Sequence, residues 1–299
     1  MHQTSVSAPL RRAFAYSSLM VILGSLGLLG VLVALLISPT DSSPSNTNDS
    51  AEPLIVYCAA SNKSVLEIIR KDYERETGRS VQIQYGPSQT LLASAEIAKS
   101  GDLYVPADDS YLAIARERQL LAEQIDLAEM QAVIAVPKGN PLGITSFEDL
   151  LRPEIRIAQA NPEAAAIGKM TRDHLAKQDK WEQLKAKTAV FKMTVNDVLN
   201  DVNIKAVDAG IVFDAVLRDY TQLEAVQIPE LNELRAKVAI GVLKASKQPT
   251  RALHFARYLS ARDKGLARYR EYGFKPFAGD AWSDAPEMIL YAGSMLQPA

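Results

Sequence analysis

Tyr-Cys-Ala-Ala-Ser at residues 57–61 and Tyr-Gly-Pro-Ser-Gln-Thr at residues 85–90 are the stretches that decide the fold. Each closes a strand pattern and opens a helical one, so each carries a serine to the cap of a helix. A helix N-terminus turns free backbone N–H groups and the positive end of its dipole toward the same point, so two such ends side by side form an oxyanion site.

Around these turns, Leu54 to Ala60 is a continuous apolar strand, and Val65, Ile68, Ile69 and Tyr73 recur at helical spacing until Gly78 stops the helix. Ser64 and Glu67 have the spacing of a capping box. Val81, Ile83 and Tyr85 alternate as a second strand, followed by a helix over Leu91 to Ala98 that ends near Gly101. Leu103 to Pro106 reads as a third strand, feeding a helix capped by Asp108 or Asp109. Alternating strands and helices indicate an open α/β sheet, whose ligand crevice lies beyond the carboxyl ends of the strands, where Ser61 and Ser88 sit.

Gln131 to Pro137 and Lys237 to Leu243 are apolar strands that bracket a second series. Between them come a strand over Arg156 to Ala160, a helix over Glu163 to Lys177, a strand over Val190 to Met193, a helix over Val195 to Asn203 and a strand over Gly210 to Phe213. A chain that leaves one α/β lobe and returns to it crosses twice. The expected organisation is therefore two lobes with a cleft between them, residues 52–130 with 238–285 in the first and 131–237 in the second. A closing helix over Thr250 to Tyr272, with its Lys and Arg residues on the wet face, belongs to the first lobe.

The N-terminus reads differently. After a cytoplasmic stretch over 1–12 that ends in Arg11 and Arg12, residues 13–37 form an uncharged apolar run long enough as a helix to cross a bilayer core of roughly 30 Å. It reads as a signal or transmembrane anchor, and the basic flank places the remainder outside the cytoplasm. The run is longer than an ordinary signal segment, which favours retention, although Ile37-Ser38-Pro39 offers a cleavage site. No cysteine adjoins it, which argues against a lipoprotein anchor. Residues 38–51 are a solvated linker, polar from Ser38 to Ser50.

Beyond residue 52 the composition is that of a globular protein, and the formal net charge of the whole chain is −2. That balance argues against nucleic acid, which requires a basic face. The single cysteine, Cys58, excludes an intramolecular disulfide and reads as a buried, inert thiol. Asp102, Asp108 and Asp109 lack metal-ligand spacing and read as caps and turns. His174 and His254 lie within helical patterns, far apart, and read as structural.

The order Ala-Ala-Ser at 59–61, Gly78, Pro-Ser-Gln-Thr-Leu at 87–91, Gly-Asp-Leu-Tyr-Val-Pro-Ala-Asp at 101–108, Asn-Pro-Glu at 161–163, Ala-Gly-Ile-Val-Phe at 209–213 and Tyr-Gly-Phe at 272–274 resembles the periplasmic molybdate-binding proteins of ABC importers. The likeness covers about residues 52–277. It implies a type II periplasmic binding fold that closes on a tetrahedral molybdate or tungstate dianion with neutral donors only. It further implies an ABC permease as partner, an extracytoplasmic monomer, no cofactor and no catalysis; the apolar run at 13–37 adds the expectation of attachment to the membrane.

Carried over by position, Ser61 and Ser88 give hydroxyls and backbone N–H groups, while Ile167 and Val195 give backbone N–H groups from the second lobe. The family's fifth contact is a tyrosine hydroxyl, and the matching residue is Phe213. That departure removes a donor, and with it about tenfold in affinity unless another group substitutes. The resemblance therefore supports an anion more firmly than molybdate itself. Taken singly, Ser61 and Ser88 also read as plain helix caps, and Val195 and Phe213 as core; the pairing of the serines at facing strand ends favours a site.

Met288-Ile-Leu-Tyr-Ala-Gly-Ser294 repeats the pattern of Ile55-Val-Tyr-Cys-Ala-Ala-Ser61, so residues 286–299 read as the possible start of a truncated second repeat. Other readings remain open: a binding protein for another anion or for ferric ion, a membrane-anchored sensor domain, or an exported serine hydrolase. The last lacks a Gly-x-Ser-x-Gly elbow and a histidine near a strand end.

Overall fold

The first strand, β1 (Leu54–Ala59), is apolar along its length because it lies between two parallel neighbours, β2 (Val81–Gly86) and β3 (Leu103–Val105). The computed structural model describes residues 52–283, which form one compact unit. Segments 1–12, 13–37 and 38–51 and the repeat-like stretch 286–299 lie outside the described residues. Among the described residues no helix is long and apolar enough to cross a membrane.

Helix α1 (Lys63–Thr77) follows a 3-10 turn at Ala60–Asn62 and stops at Gly78, whose φ of 69° is the left-handed conformation that glycine adopts without penalty. The capping box expected of Ser64 and Glu67 does not form. Ser64 lies inside the helix and donates its hydroxyl to Asp219, while Glu67 accepts from Arg70 and from the Tyr85 hydroxyl. Helix α2 (Ser88–Ala98) begins three residues before its apolar pattern, and α3 (Ser110–Glu117) follows β3. Neither Asp108 nor Asp109 forms a side-chain cap in the expected manner; the Asp108 carboxylate accepts from the Ser110 N–H in a turn at 3.1 Å.

Strand β4 (Leu121–Pro137) is far longer than its apolar second half suggests. Residues 121–131 pair antiparallel with β9 (Arg235–Leu243), and 132–137 pair with β7 (Ala209–Phe213) and β8 (Leu223–Val226). Two register shifts, at 121/123 and 126/128, break the alternation that would have revealed the first half. The short α4 (Phe147–Leu150) leads into β5 (Ile157–Ala160), which pairs parallel with β6 (Thr188–Lys192) and β7. The main path of strands is β2-β1-β3-β9-β4-β7-β5-β6, with β8 beside β4 off that path and β4 passing from one half of the sheet to the other at residues 131 and 132.

Helix α5 (Ala166–Ala176) starts later than the pattern from Glu163 predicts, because Asn161 holds the preceding turn: its side chain accepts from the Glu163 N–H and its carbonyl from Ala164 and Ala165. Helix α6 (Trp181–Lys187) was not evident in the sequence, whereas α7 spans Val195–Asn203 as its pattern predicts. A short α8 (Asp214–Leu217) continues from β7. The expected closing helix is two, α9 (Pro249–Ser260) and α10 (Gly265–Glu271), before the short β10 (Lys275–Pro276) pairs with β4. At Gly265 a Cβ would lie 2.2 Å from the Leu259 carbonyl oxygen, so the chain doubles back on α9 at a point only glycine allows. An aromatic group in which Tyr73 packs edge-on against Phe255 and Tyr258, with His254 bonding the Tyr73 hydroxyl at 2.9 Å, fixes α9 on α1.

Candidate anion-binding site

Four helix or turn starts converge where the two halves of the sheet meet, and three of them lack a side-chain cap. The turn after β1 leads into α1 behind Asn62, which makes no capping bond. Helix α2 begins behind Pro87 and α5 behind Ala165, neither of which has a side chain able to cap. Only α7 is capped, by a capping box in which the Thr194 hydroxyl accepts from the Asp197 N–H and the Asp197 carboxylate accepts from Thr194. That box satisfies the third N–H of α7 and leaves the first, on Val195, without a side-chain or backbone acceptor among the described residues.

The backbone N–H groups of Ser61, Ser88 and Ile167 likewise have no acceptor among the described residues. These groups border a small cavity lined by Ser61, Ser88, Ile167, Thr194, Val195 and Phe213, together with the backbone and small side chains of Ala59, Gly86 and Ala165. Its free volume, measured to the centre of a water-sized sphere, is about 20 Å³. All five residues singled out in the sequence therefore lie on one wall or another of the same cavity, and all are buried. Thr194, which the sequence reading did not single out, joins them; Thr194 followed three residues later by Asp197 was the available signal.

Neither serine is a helix cap. Ser61 lies in the 3-10 turn, and Ser88 is the first residue inside α2. The Ser88 hydroxyl oxygen accepts from the Ala107 N–H at 3.2 Å, and the Ser88 carbonyl accepts from the Tyr104 hydroxyl at 2.8 Å. Because a hydroxyl carries one proton, an oxygen that already accepts from the protein leaves that proton to point at the cavity. The Ser61 oxygen lies 3.5 Å from the Asn62 amide nitrogen, a contact at the limit of hydrogen-bond length.

No charged side chain lines the cavity, and none of its polar lining groups is a carboxylate, tyrosine or histidine. The donors on this wall are thus neutral dipoles, an arrangement that stabilises a buried negative charge. Phe213, 1 % exposed, lines the cavity with a side chain that has no donor. Helix α5 is pressed so closely on β5 that a Cβ on Gly168 would lie 2.3 Å from the Ala160 carbonyl oxygen; glycine there brings the Ile167 N–H to the cavity.

Direct contacts also join residues 52–130 and 238–283 to residues 131–237. The Gln89 N–H donates to the Ala164 carbonyl at 3.1 Å, Ser64 bonds Asp219, and the Arg218 guanidinium stacks 4.6 Å from the centre of the Tyr272 ring.

Residues read as structural have structural partners. The Asp102 carboxylate accepts from the Ile55 N–H and the Ser246 hydroxyl, tying β1 to the loop after β9. His174 bonds the Glu230 carbonyl at 2.8 Å. Cys58 is buried, and burial pushes its thiol well above the ordinary range. Among the described residues no cluster of His, Cys, Asp and Glu could hold a metal.

Several known binding proteins resemble this chain. The molybdate-binding protein ModA of Mycobacterium tuberculosis (strain H37Rv) is 28% identical over 223 residues, covering 74% of this chain and 84% of its own. Among solved structures, the periplasmic molybdate-binding protein of Azotobacter vinelandii superposes with a TM-score of 0.62 at 17% identity, covering 74% of this chain and 98% of its own. The sulfate-binding protein SubI of M. tuberculosis H37Rv superposes with a TM-score of 0.61 at 16% identity, over 83% and 92%. At such identities the two structures establish the fold alone. The profile of one family, described as bacterial extracellular solute-binding protein, matches residues 54–275, and the chain belongs to that family of binding proteins, which are not enzymes.

Proposed function

We propose that this chain is the extracytoplasmic capture component of an ABC importer and that its cargo is a tetrahedral oxyanion, molybdate or tungstate. The observation that carries the reading is the set of unpartnered backbone N–H groups of Ser61, Ser88, Ile167 and Val195 around a cavity with two serine hydroxyls and no charged side chain. A dianion entering there exchanges its water shell for fixed donors whose own solvation has already been removed, so the hydrogen bonds are charge-assisted. Residues 52–130 with 238–285 and residues 131–237 act as the two lobes, hinged where β4 and β9 cross between them, and the permease recognises the closed form. The 13–37 segment holds the protein at the outer face of the cytoplasmic membrane.

Selectivity follows from the donors. A site that only donates penalises an anion that keeps a proton, because that proton finds no acceptor. A second reading, a different fully ionised oxyanion such as sulfate, draws support from Phe213, which lines the cavity without a hydroxyl at the position that the family resemblance matches to a tyrosine. Equilibrium dialysis of the full chain in mild detergent against molybdate, with bound molybdenum measured by elemental analysis, tests the proposal. Saturation at one molybdenum per chain supports it; no retention of molybdenum, or retention that Ser61→Ala and Ser88→Ala leave unchanged, refutes it.

A further inference from the structure

The Ser88 turn is held from behind by a residue outside the cavity wall. Tyr104, in the middle of β3, is fully buried between Tyr57 of β1 and Gly241 of β9 in the sheet register. Its hydroxyl reaches past the end of its own strand to the Ser88 carbonyl at 2.8 Å. Three residues further on, the Ala107 N–H donates to the Ser88 hydroxyl oxygen at 3.2 Å. One short segment of chain thus fixes both the backbone and the side chain of Ser88, the first by a side-chain donor and the second by a backbone donor.

A buried phenol must find an acceptor. A backbone carbonyl has two lone pairs, so Ser88 can accept from Tyr104 without giving up its place in α2. Burial, reinforced by Tyr111 and Cys58 nearby, holds the Tyr104 phenol well above its ordinary value, and the group stays a donor. Tyr269, also fully buried, makes a useful contrast, because its hydroxyl has no partner among the described residues.

We infer that Tyr104 is a positioning residue for anion binding: its hydroxyl sets the Ser88 turn so that the Ser88 N–H and hydroxyl point into the cavity. The inference rests on the proposed anion site, but its effect on the turn can be measured without a ligand. Removing the hydroxyl frees the Ser88 backbone by a few tenths of an ångström and costs the anion part of two hydrogen bonds, while the sheet around the ring keeps its packing.

Three readouts on the full chain test this. In hydrogen exchange of the ligand-free protein, Tyr104→Phe should speed exchange of the Ala107 amide, whose acceptor is the Ser88 hydroxyl, and leave the β9 amides protected. In titration with molybdate, Tyr104→Phe should weaken binding by about fivefold, the size of a modest coupling between neighbouring groups, and by the same factor in a Ser61→Ala background. In a Ser88→Ala background, which keeps the carbonyl and the N–H but not the hydroxyl, the further loss should fall to about half in free-energy terms, roughly twofold, and Tyr269→Phe should leave affinity unchanged. Unaltered Ala107 exchange overturns the inference, as does an equal loss in the Ser88→Ala background, which would mark a general effect on the fold. Should the wild-type chain bind no oxyanion, the proposed cargo falls, and the Ala107 exchange alone decides whether Tyr104 sets the turn.

Discussion

Ser61 and Ser88 offer the same chemical group to the same cavity, yet the structure predicts that their removal differs in kind. Ser88→Ala takes away a hydroxyl that both faces the cavity and accepts from the Ala107 N–H at 3.2 Å. Ala107 is buried, so its N–H is left without a partner, at a cost of about 1–3 kcal/mol before relaxation. A charge-assisted hydrogen bond to a buried anion is worth about 1.5–3 kcal/mol, so the dissociation constant for molybdate should rise about 10- to 150-fold. Ser61→Ala should raise it over the same range. Its hydroxyl has only one hydrogen-bond contact among the described residues, with the Asn62 amide at 3.5 Å, so the ligand-free protein should lose less than about 0.5 kcal/mol. Calorimetric titration gives the affinities, and urea unfolding of the ligand-free proteins gives the stabilities. An affinity untouched by either substitution, or a ligand-free Ser61→Ala less stable than Ser88→Ala, would refute the reasoning.

Three further substitutions probe other parts of the account. Phe213→Tyr should tighten molybdate binding by about tenfold, one charge-assisted hydrogen bond, and unchanged affinity in titration would mean that this position does not face the anion. Gly168→Ala should destabilise the protein by about 1–3 kcal/mol and weaken anion binding, because the added methyl would lie 2.3 Å from the Ala160 carbonyl oxygen and must push α5 off β5; a wild-type unfolding midpoint would show that the approach is looser. The Arg156 guanidinium, hydrogen-bonded to Asp208, holds that carboxyl below the usual carboxylate range, so its contribution is present above the ordinary pKa of about 3.9 and is lost as pH falls through the lower folded value. Asp208→Asn should therefore cost about 1 kcal/mol in urea unfolding at neutral pH and progressively less below pH 3.9 or so; a difference that does not shrink on acidification would contradict the pairing.

What the sequence disclosed was governed by how much of each element repeats a simple period. Val195–Asn203 alternates apolar and polar residues cleanly around one face, and its helix has the expected bounds. The helix ending at Gly78 was equally plain, because only a left-handed residue closes it there. The first half of β4 was not legible: two register shifts put Glu123 and Asp126 out of step with a two-residue alternation. The break between α9 and α10 hid behind a continuous amphipathic pattern, with Gly265 the one residue that marked it.

The candidate site divides in the same way. Its serines, and the positions of Ile167, Val195 and Phe213, could be read because the turns have a recognisable order. The roles of Ser61 and Ser88 as caps were the natural local expectation, and that expectation failed because Ser61 sits within a 3-10 turn and Pro87 takes the cap position before Ser88. The bonds from Tyr104 and Ala107 to Ser88 depend on how β3 packs beside α2, a tertiary relation with no local signature.

The most direct test of the central claim is calorimetric titration of the chain with molybdate, tungstate, sulfate and phosphate in parallel at neutral pH. The account predicts tight one-site binding of molybdate and tungstate, with phosphate, which keeps a proton at that pH, giving no comparable heat. Binding of phosphate as strong as that of molybdate, or no heat from any of the four, would contradict it.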